Sequence, residues 1–164
     1  ISKEYVKKAP QNGFVAMLSP IGVSKFVKLG DASNYRLVVP GFPYKIVMAV
    51  EGGPKIIEGG KAIEDIDSES VGYGSRILTN KTPRTVVALS PNKIIFITID
   101  GYQANSSGLS YSELINFLLK KGYTDAMCFD GGSSTVMSVG SKVVNTPSSG
   151  ELEIPVGLLI KRKF

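Results

Sequence analysis

Two Asp-Gly pairs, each placed directly after an apolar run, are the residues of this chain best placed to do chemistry. Asp100 follows the run Ile94–Ile99, and Asp130 follows Asp125–Phe129. If both runs are parallel strands of one sheet, the two aspartates lie at the same edge, where ligands of open α/β sheets tend to bind. If those strands are neighbours, about 5 Å apart, the carboxylates would be roughly 5–10 Å apart, a separation used to cleave glycosidic bonds. Because Asp-Gly is also a common turn dipeptide, the spacing alone leaves both interpretations open.

The stretch between these two runs predicts the helix that would connect them. Ser110 and Glu113 have the spacing of a capping box, in which each side chain accepts a hydrogen bond from the other residue's backbone N–H. Apolar side chains follow at helical spacing, and Gly122 can end the helix in the left-handed conformation. A strand–helix–strand unit of this length normally forms a right-handed crossover between parallel strands. With the other strand-like runs, this predicts an α+β fold: a mixed, strand-rich sheet with a single strand–helix–strand crossover.

Short apolar runs elsewhere in the sequence predict the remaining strands. Val86–Leu89 is expected to form a hairpin with Ile94–Ile99. A smaller hairpin is expected from Val136–Val139 and Lys142–Val144, and a closing strand at Val156–Ile160. A short helix is expected near Ile63–Ser70, within a long polar excursion. Four earlier strands are expected at Phe14–Leu18, Val23–Leu29, Tyr35–Val39 and Lys45–Val50. Ile94–Ile99 itself has the composition of a strand buried on both faces.

Composition excludes several kinds of site. The chain of 164 residues has no histidine, which excludes His-based triads and histidine-rich zinc sites within it. Its single cysteine, Cys128, cannot form an intramolecular disulfide and is expected to be buried and unreactive between two apolar strand residues. No run approaches the ~20 apolar residues of a membrane span. The net charge of +5 is interpreted mainly as solvation, because no aromatic–basic stripe typical of a nucleic-acid surface is present.

Glu51 and Arg84 are the other candidate functional side chains. Glu51 follows an apolar run and precedes two glycines, so it is expected at a strand end, either as a turn residue or as a further carboxylate of the site. Arg84 begins the first strand of the predicted hairpin, which places it near Asp100 at the end of the next strand. A surface ion pair and an anion-binding role are both compatible with that position.

From roughly Ala49 to Ile160, the chain resembles the phosphodiester glycosidase family, whose bacterial members are often described as exopolysaccharide-related proteins. The motifs that carry the resemblance, in the family's order, are Glu51-Gly-Gly-Pro54 with Gly59-Gly60-Lys61, Pro83-Arg84-Thr85, Ile97-Thr-Ile-Asp100-Gly101, Gly108-Leu109-Ser110, Phe129-Asp130-Gly131-Gly132-Ser133-Ser134, Val144-Asn145-Thr-Pro147-Ser148 and Pro155-Val156. The chain departs from the family at Ile154-Pro155-Val156, where an Arg is expected, and has no evident counterpart of the family's upstream segment.

The resemblance implies a hydrolase that cleaves the glycosidic bond of a sugar-1-phosphodiester, of the N-acetylglucosamine-1-phosphodiester type, or of a related cell-surface polysaccharide. It implies Asp130 as the essential carboxylate, with Asp100 or Glu51 as its partner. Arg84 would bind the phosphate, whose oxygens suit a guanidinium. The other substrate-binding residues that it implies are Gly131, Gly132, Ser133 and Ser134, through backbone amides and hydroxyls, and Asn145.

The resemblance also sets expectations for cofactor, location and partners. No particular cofactor is implied, and the carboxylates could instead hold Ca²⁺ or Mg²⁺, both of which prefer oxygen ligands. The location is expected to be extracytoplasmic, either secreted or periplasmic. The expected partners are a carbohydrate or sugar-phosphate substrate and a separate N-terminal segment or chain, with no nucleic acid and no membrane span.

The departures from the family pattern leave a second function open. Residues 1–164 are expected to form a single domain that lacks the family's N-terminal segment. Such a domain would be either an enzyme or a non-catalytic carbohydrate- or cell-wall-binding domain or fragment that needs a partner segment.

Overall fold

The computed structural model describes residues 49–66, 76–150, 152–154 and 156–161. Its described residues from Val50 onward belong to one compact unit. The strands predicted at Phe14–Leu18, Val23–Leu29 and Tyr35–Val39, and most of the short helix predicted near Ile63–Ser70, lie outside the described residues. The strand predicted at Lys45–Val50 is described only at Ala49 and Val50, and these two residues are not in a strand. The elements in chain order are β1 (Lys55–Glu58), β2 (Lys61–Ala62), α1 (Arg76–Thr79), β3 (Arg84–Ser90), β4 (Lys93–Ile99), α2 (Tyr111–Lys120), β5 (Asp125–Phe129), a 3₁₀ turn (Gly132–Ser134), β6 (Ser138–Val139) and β7 (Lys142–Val143).

The described strands form a five-stranded sheet in the order β2-β1-β5-β3-β4, in which every neighbouring pair is antiparallel. The α+β prediction is therefore confirmed, whereas the prediction of a mixed sheet is wrong for these strands. Because β4 and β5 are each antiparallel to β3, they run in the same direction and end at the same edge. They are not neighbours, since β3 lies between them and begins at the edge where they end. Arg84 is opposite Ile99 on one side, and Thr85 is opposite Phe129 on the other.

Helix α2 covers one face of this sheet and supplies much of the described core. The predicted capping box is present: Ser110 Oγ accepts a hydrogen bond from the Glu113 amide, and the Glu113 carboxylate accepts one from the Ser110 amide. Gly122 follows the helix with φ 78°, as predicted. The buried hydrophobic residues are Ile56, Ile57, Val86, Ala88, Tyr111, Leu114, Leu118, Ala126 and Cys128. The apolar stripe of α2 thus fixes how the helix lies over the sheet.

Two strand predictions are wrong. β4 is not buried on both faces: it lies at an edge of the described sheet, and Ile94 is 66% exposed, although Ile95, Ile97 and Ile99 pack against the core. The run Val156–Ile160 was expected to be a strand, yet its described residues have no strand partner and are exposed. The small hairpin is confirmed as β6 and β7.

In the part of the chain that the structure describes, no helix combines the length and the apolar character needed to cross a bilayer.

Candidate active site

A cavity of about 440 Å³ opens at the sheet edge where β3 begins and β5 ends. Five of the nine predicted site residues line it: Glu51, Arg84, Asp130, Gly131 and Gly132. The rest of the lining consists of Gly52, Gly53, Thr82, Tyr102, Tyr111, Phe129 and Val156. The cavity therefore brings together two carboxylates, a guanidinium and three aromatic side chains.

Arg84 is held in a fixed orientation. The residue is 4% exposed, and its Nε donates to the Leu109 carbonyl at 3.0 Å while Nη2 donates to the Asn80 carbonyl at 2.9 Å. Its Cζ lies 4.0 Å from the centroid of the Tyr111 ring, which is a cation–π contact. These contacts orient the guanidinium at the cavity wall, and a guanidinium held in a fixed orientation is suited to binding an anion.

The Tyr111 hydroxyl and the Cys128 thiol are both kept protonated beside Arg84. Burial raises the pKa of Tyr111 above its ordinary value of 10, and the nearby Cys128 raises it further. Burial likewise raises the pKa of Cys128 to about 12. The thiol is 1% exposed and free, which confirms that Cys128 is a buried residue of the core.

The Gly52-Gly53-Pro54 segment brings Glu51 to the end of β5. The Gly53 amide donates to the Cys128 carbonyl at 2.8 Å, and the Cys128 amide donates to the Pro54 carbonyl at 3.0 Å. The segment thus continues the antiparallel pairing of β1 with β5 toward the cavity. Glu51 consequently lines the same cavity as Asp130, which lies just after β5.

The glycines of the two Asp-Gly pairs allow the start of β3 to fit between the two strand ends. A Cβ atom on Gly101 would lie 2.9 Å from the Pro83 nitrogen, and a Cβ atom on Gly131 would lie 2.9 Å from the Pro83 carbonyl oxygen. Both approaches are too close for any side chain. These glycines are therefore needed for close packing against Pro83, which precedes Arg84.

Asp100 and Asn145, both predicted site residues, do not line the cavity. The Asp100 carboxylate accepts hydrogen bonds from Asn145 Nδ2 and from the Thr146 amide, both at 2.9 Å. Asn145 also donates to the Thr135 carbonyl at 3.1 Å and accepts from the Met137 amide at 2.8 Å. The side-chain amide of Asn145 thus donates both of its N–H groups to acceptors within the protein. The structure places this pair in a network that fixes the segment following the Asp130 turn.

The turn from Gly131 to Ser134 only partly matches the predicted anion-binding nest. The Gly132 amide donates to the Pro83 carbonyl at 3.0 Å, and the Ser134 amide donates to the Gly131 carbonyl at 3.1 Å. Those two amides are therefore engaged within the protein. Ser133 and Ser134 belong to the 3₁₀ turn and do not line the cavity.

Sequence reasoning missed the aromatic lining of the cavity. Tyr102 directly follows the Asp100-Gly101 strand end, and Tyr111 is the first residue of α2 after its cap. Each of these tyrosines lies next to a motif that the sequence analysis assigns to the site. That adjacency is the signal from which the aromatic lining could have been predicted.

The described residues gather no dense cluster of potential metal ligands. No group of three or more His, Cys, Asp or Glu side chains that could hold a metal ion is found among them. The cavity offers the two carboxylates of Glu51 and Asp130, and Mg²⁺ can be bound by one or two carboxylates together with water. A Ca²⁺ or Mg²⁺ role of these carboxylates therefore stays a prediction.

Comparison with known proteins gives a consistent family assignment. A model of the phosphodiester glycosidase family matches residues 6–161. The chain is 32% identical, over 74 residues, to the SPbeta prophage-derived uncharacterized protein YomE of Bacillus subtilis (strain 168), a stretch that covers 44% of this chain and 12% of that protein. The chain thus spans a small part of that relative's length.

Two solved structures share the fold. A hypothetical protein from Synechocystis aligns with a TM-score of 0.50 and 25% identity, covering 59% of this chain and 18% of that one. The zebrafish N-acetylglucosamine-1-phosphodiester alpha-N-acetylglucosaminidase catalytic domain, auto-inhibited by its pro-peptide, aligns with a TM-score of 0.51 and 20% identity, covering 60% of this chain and 34% of that one. At that identity the zebrafish likeness shows the fold alone.

Proposed function

This chain belongs to the phosphodiester glycosidase family, and on that premise we propose that it hydrolyses the glycosidic bond of a sugar-1-phosphodiester. The N-acetylglucosamine-1-phosphodiester type is the first substrate to test, followed by related linkages of cell-surface polysaccharides. Such substrates agree with the extracytoplasmic location that the family resemblance implies.

The observation that carries this proposal is the composition of one cavity. Glu51 and Asp130 reach it from two different segments, and Arg84 lines it with a fixed guanidinium. Hydrolysis of a glycosidic bond typically uses two carboxyl groups, and a phosphodiester adds a negative charge that a guanidinium can bind. Two carboxylates and a guanidinium in one cavity match both requirements.

The proposed chemistry assigns a role to each of these side chains. One carboxyl group protonates the oxygen that links the anomeric carbon to phosphorus, so that the bond from carbon to oxygen breaks and the phosphomonoester leaves. The other carboxylate stabilises the positive charge that develops at the anomeric carbon. Water then adds its oxygen to that carbon, and its proton returns to the carboxylate that acted as the acid, which gives the free sugar. Arg84 holds the phosphate during the cleavage. We assign Asp130 as the essential carboxylate.

Glu51, and not Asp100, is the partner that the geometry supports. Both Asp100 oxygens accept hydrogen bonds from the 145–146 segment, and Asp100 does not line the cavity. Asp100 and Asn145 are therefore proposed to position the chain after Asp130. Ser133 and Ser134, which do not line the cavity, are proposed to support the turn after Asp130.

The test is the release of free sugar from a panel of sugar-1-phosphodiesters and aryl glycosides. Wild type is expected to release sugar, and Asp130→Asn is expected to reduce kcat by about 10²–10⁴-fold because it removes an ionisable group at the reacting bond. Glu51→Gln is expected to have an effect of the same order. Unfolding in urea should show that both variants remain folded.

Asp125→Asn is a matched control, because Asp125 begins the strand whose end leads to Asp130. Its carboxylate accepts a hydrogen bond from the Gly59 amide at 3.3 Å, and an asparagine oxygen can accept the same bond. Turnover should therefore be retained in this variant. Absence of turnover in wild type, with saturable glycan binding, would contradict hydrolysis and indicate the non-catalytic binding domain instead.

A further inference from the structure

Tyr102 stands at the mouth of the cavity in an unusual backbone conformation. Its φ is 57°, which makes it the one non-glycine residue with a positive φ among the described residues. The side chain is 58% exposed, yet it lines the cavity. A Cβ atom built on Gly132 would lie 3.9 Å from both Cε2 and the hydroxyl oxygen of Tyr102, so the ring lies over the Gly132 backbone.

The loop that carries Tyr102 is held by hydrogen bonds on both sides of the residue. Ser106 Oγ donates to the Asp100 carbonyl at 2.6 Å, and the Gln103 amide donates to the Ser106 carbonyl at 2.9 Å. Gln103 Nε2 also donates to the Thr146 carbonyl at 2.5 Å. A left-handed tyrosine is kept only where its surroundings impose it, and such residues concentrate at ligand sites. These contacts fix the backbone of the loop from which the Tyr102 ring projects.

The cavity changes in chemistry from its floor to its mouth. Arg84 and Tyr111 are each 4% exposed and form the floor, whereas the largely exposed Tyr102 forms part of the rim. An anionic group is suited to the floor. A group with one apolar face is suited to the rim, where a tyrosine ring on an ordered loop offers contact area at little entropic cost because it has only two χ angles.

We propose that Tyr102 is the stacking platform for the pyranose ring of the substrate, at the rim of the cavity. A pyranose has an apolar face made of axial C–H groups, which packs on an aromatic ring, and an edge of hydroxyls that the carboxylates and backbone beside it can bind. The identity of the ligand as a sugar rests on the proposed function. The Tyr102 ring then selects a pyranose by its face, while Arg84 selects the phosphate.

Two substitutions separate the ring from the backbone. Tyr102→Asn removes the ring but suits the left-handed conformation, since asparagine adopts it readily. Tyr102→Phe keeps the ring and removes only the hydroxyl. If sugar binding is lost in Tyr102→Asn but retained in Tyr102→Phe, the loss is due to the missing ring and therefore indicates stacking.

The experiment measures sugar binding without requiring turnover. Methyl N-acetylglucosaminide and methyl glucoside are titrated with the 164-residue chain and observed by proton NMR, and inorganic phosphate is titrated in parallel. With wild type and Tyr102→Phe, the ring protons of one sugar face should shift upfield with saturation. With Tyr102→Asn, these shifts should disappear and the sugar Kd should rise about tenfold or more, while the phosphate Kd should stay within twofold.

The outcomes distinguish the platform from the proposed reaction. If wild type binds the sugar through Tyr102 but releases no sugar from phosphodiesters, the platform stands and the hydrolase proposal fails. If wild type turns over substrate, and Tyr102→Asn has the same KM and the same sugar shifts, the platform is overturned while the hydrolase stands. Failure of wild type to bind either sugar, or equal loss of phosphate binding in Tyr102→Asn, also overturns the platform.

Discussion

At the residue scale, the two Asp-Gly pairs show how one dipeptide can serve two purposes. Asp130 lines the cavity, whereas Asp100 is engaged by Asn145 and Thr146. The sequence could predict that both aspartates follow strands, because that is local. It could not predict which carboxylate would be engaged, because the partners of Asp100 lie about 45 residues further along the chain.

The position of Arg84 in the sequence is compatible with both a surface ion pair and anion binding, and its contacts in the structure allow the anion-binding role to be tested. Arg84→Lys keeps the charge but loses the two directed hydrogen bonds to carbonyls and the planar contact with Tyr111. We expect the Kd for inorganic phosphate to rise about tenfold and the free energy of unfolding to fall by about 1–3 kcal/mol. Calorimetric titration and urea unfolding measure the two effects.

Lys81→Met removes a positive charge near Arg84 in the sequence and is the control for general electrostatic attraction of phosphate. Lys81 lies three residues before Arg84, is about half exposed and pairs with Glu113 at 2.5 Å. Removing that exposed pair should cost less than about 1 kcal/mol and leave phosphate affinity unchanged. Unchanged phosphate affinity in Arg84→Lys, or a loss in Lys81→Met as large as the loss in Arg84→Lys, would contradict a specific role of Arg84.

At the scale of elements, sequence reasoning succeeded where the signals were local. The capping box and apolar stripe predicted α2, and a turn between two β-branched runs predicted the hairpin of β3 and β4. The position of β3 between β4 and β5 was not predictable in the same way, because pairing across some 40 residues depends on the other strands available. The apolar run Val156–Ile160 likewise shows that composition without a partner strand does not make a strand.

Gly108 is the point at which the loop before α2 crosses the chain before β3. Its φ is 88°, and a Cβ atom there would lie 2.2 Å from the carbonyl carbon and oxygen of Thr82. Gly108→Ala should therefore push apart the Thr82 and Leu109 backbones, which hydrogen-bond to each other, and lower the free energy of unfolding by more than about 3 kcal/mol. Thermal and urea unfolding measure the loss.

Gly140→Ala separates this clash from the backbone strain alone. Gly140 has φ 62° in the tight turn between β6 and β7, and nothing lies within 4 Å of a Cβ atom built there. The alanine should cost only the left-handed penalty, about 1–2 kcal/mol. If Gly108→Ala cost no more than Gly140→Ala, the close crossing at Thr82 would be contradicted.

At the scale of the whole molecule, the sequence predicted an α+β fold and the family, but not the full lining of the cavity. The cavity is assembled from six segments, around Glu51, Arg84, Tyr102, Tyr111, Asp130 and Val156. Motifs identified three of these segments through charged residues. The aromatic and apolar contributions depend on how the segments converge, which the antiparallel order of the sheet decides. The buried Cys128, by contrast, followed from its apolar neighbours alone.

The burial of Cys128 and Tyr111 predicts how the stability of the whole molecule depends on alkaline pH. An exposed thiol in the unfolded chain has an ordinary pKa of 9.0, whereas burial raises the pKa of Cys128 in the folded protein to about 12. The unfolded state therefore releases its proton first, so this contribution to stability is fully present below pH 9 and is lost progressively between pH 9 and 12. The raised pKa of Tyr111 acts in the same direction above pH 10.

The free energy of unfolding, measured in urea, should be nearly flat up to pH 8.5 and fall by about 1 kcal/mol from the thiol by pH 10. Cys128→Ala removes the thiol, so it should lower stability at every pH through the lost packing but flatten the decline between pH 9 and 10. In wild type, alkylation by iodoacetamide at pH 8 should proceed only as fast as the protein opens, and urea should accelerate it. An equally steep decline in Cys128→Ala, or rapid alkylation of the folded protein, would contradict a thiol protected by burial in the core.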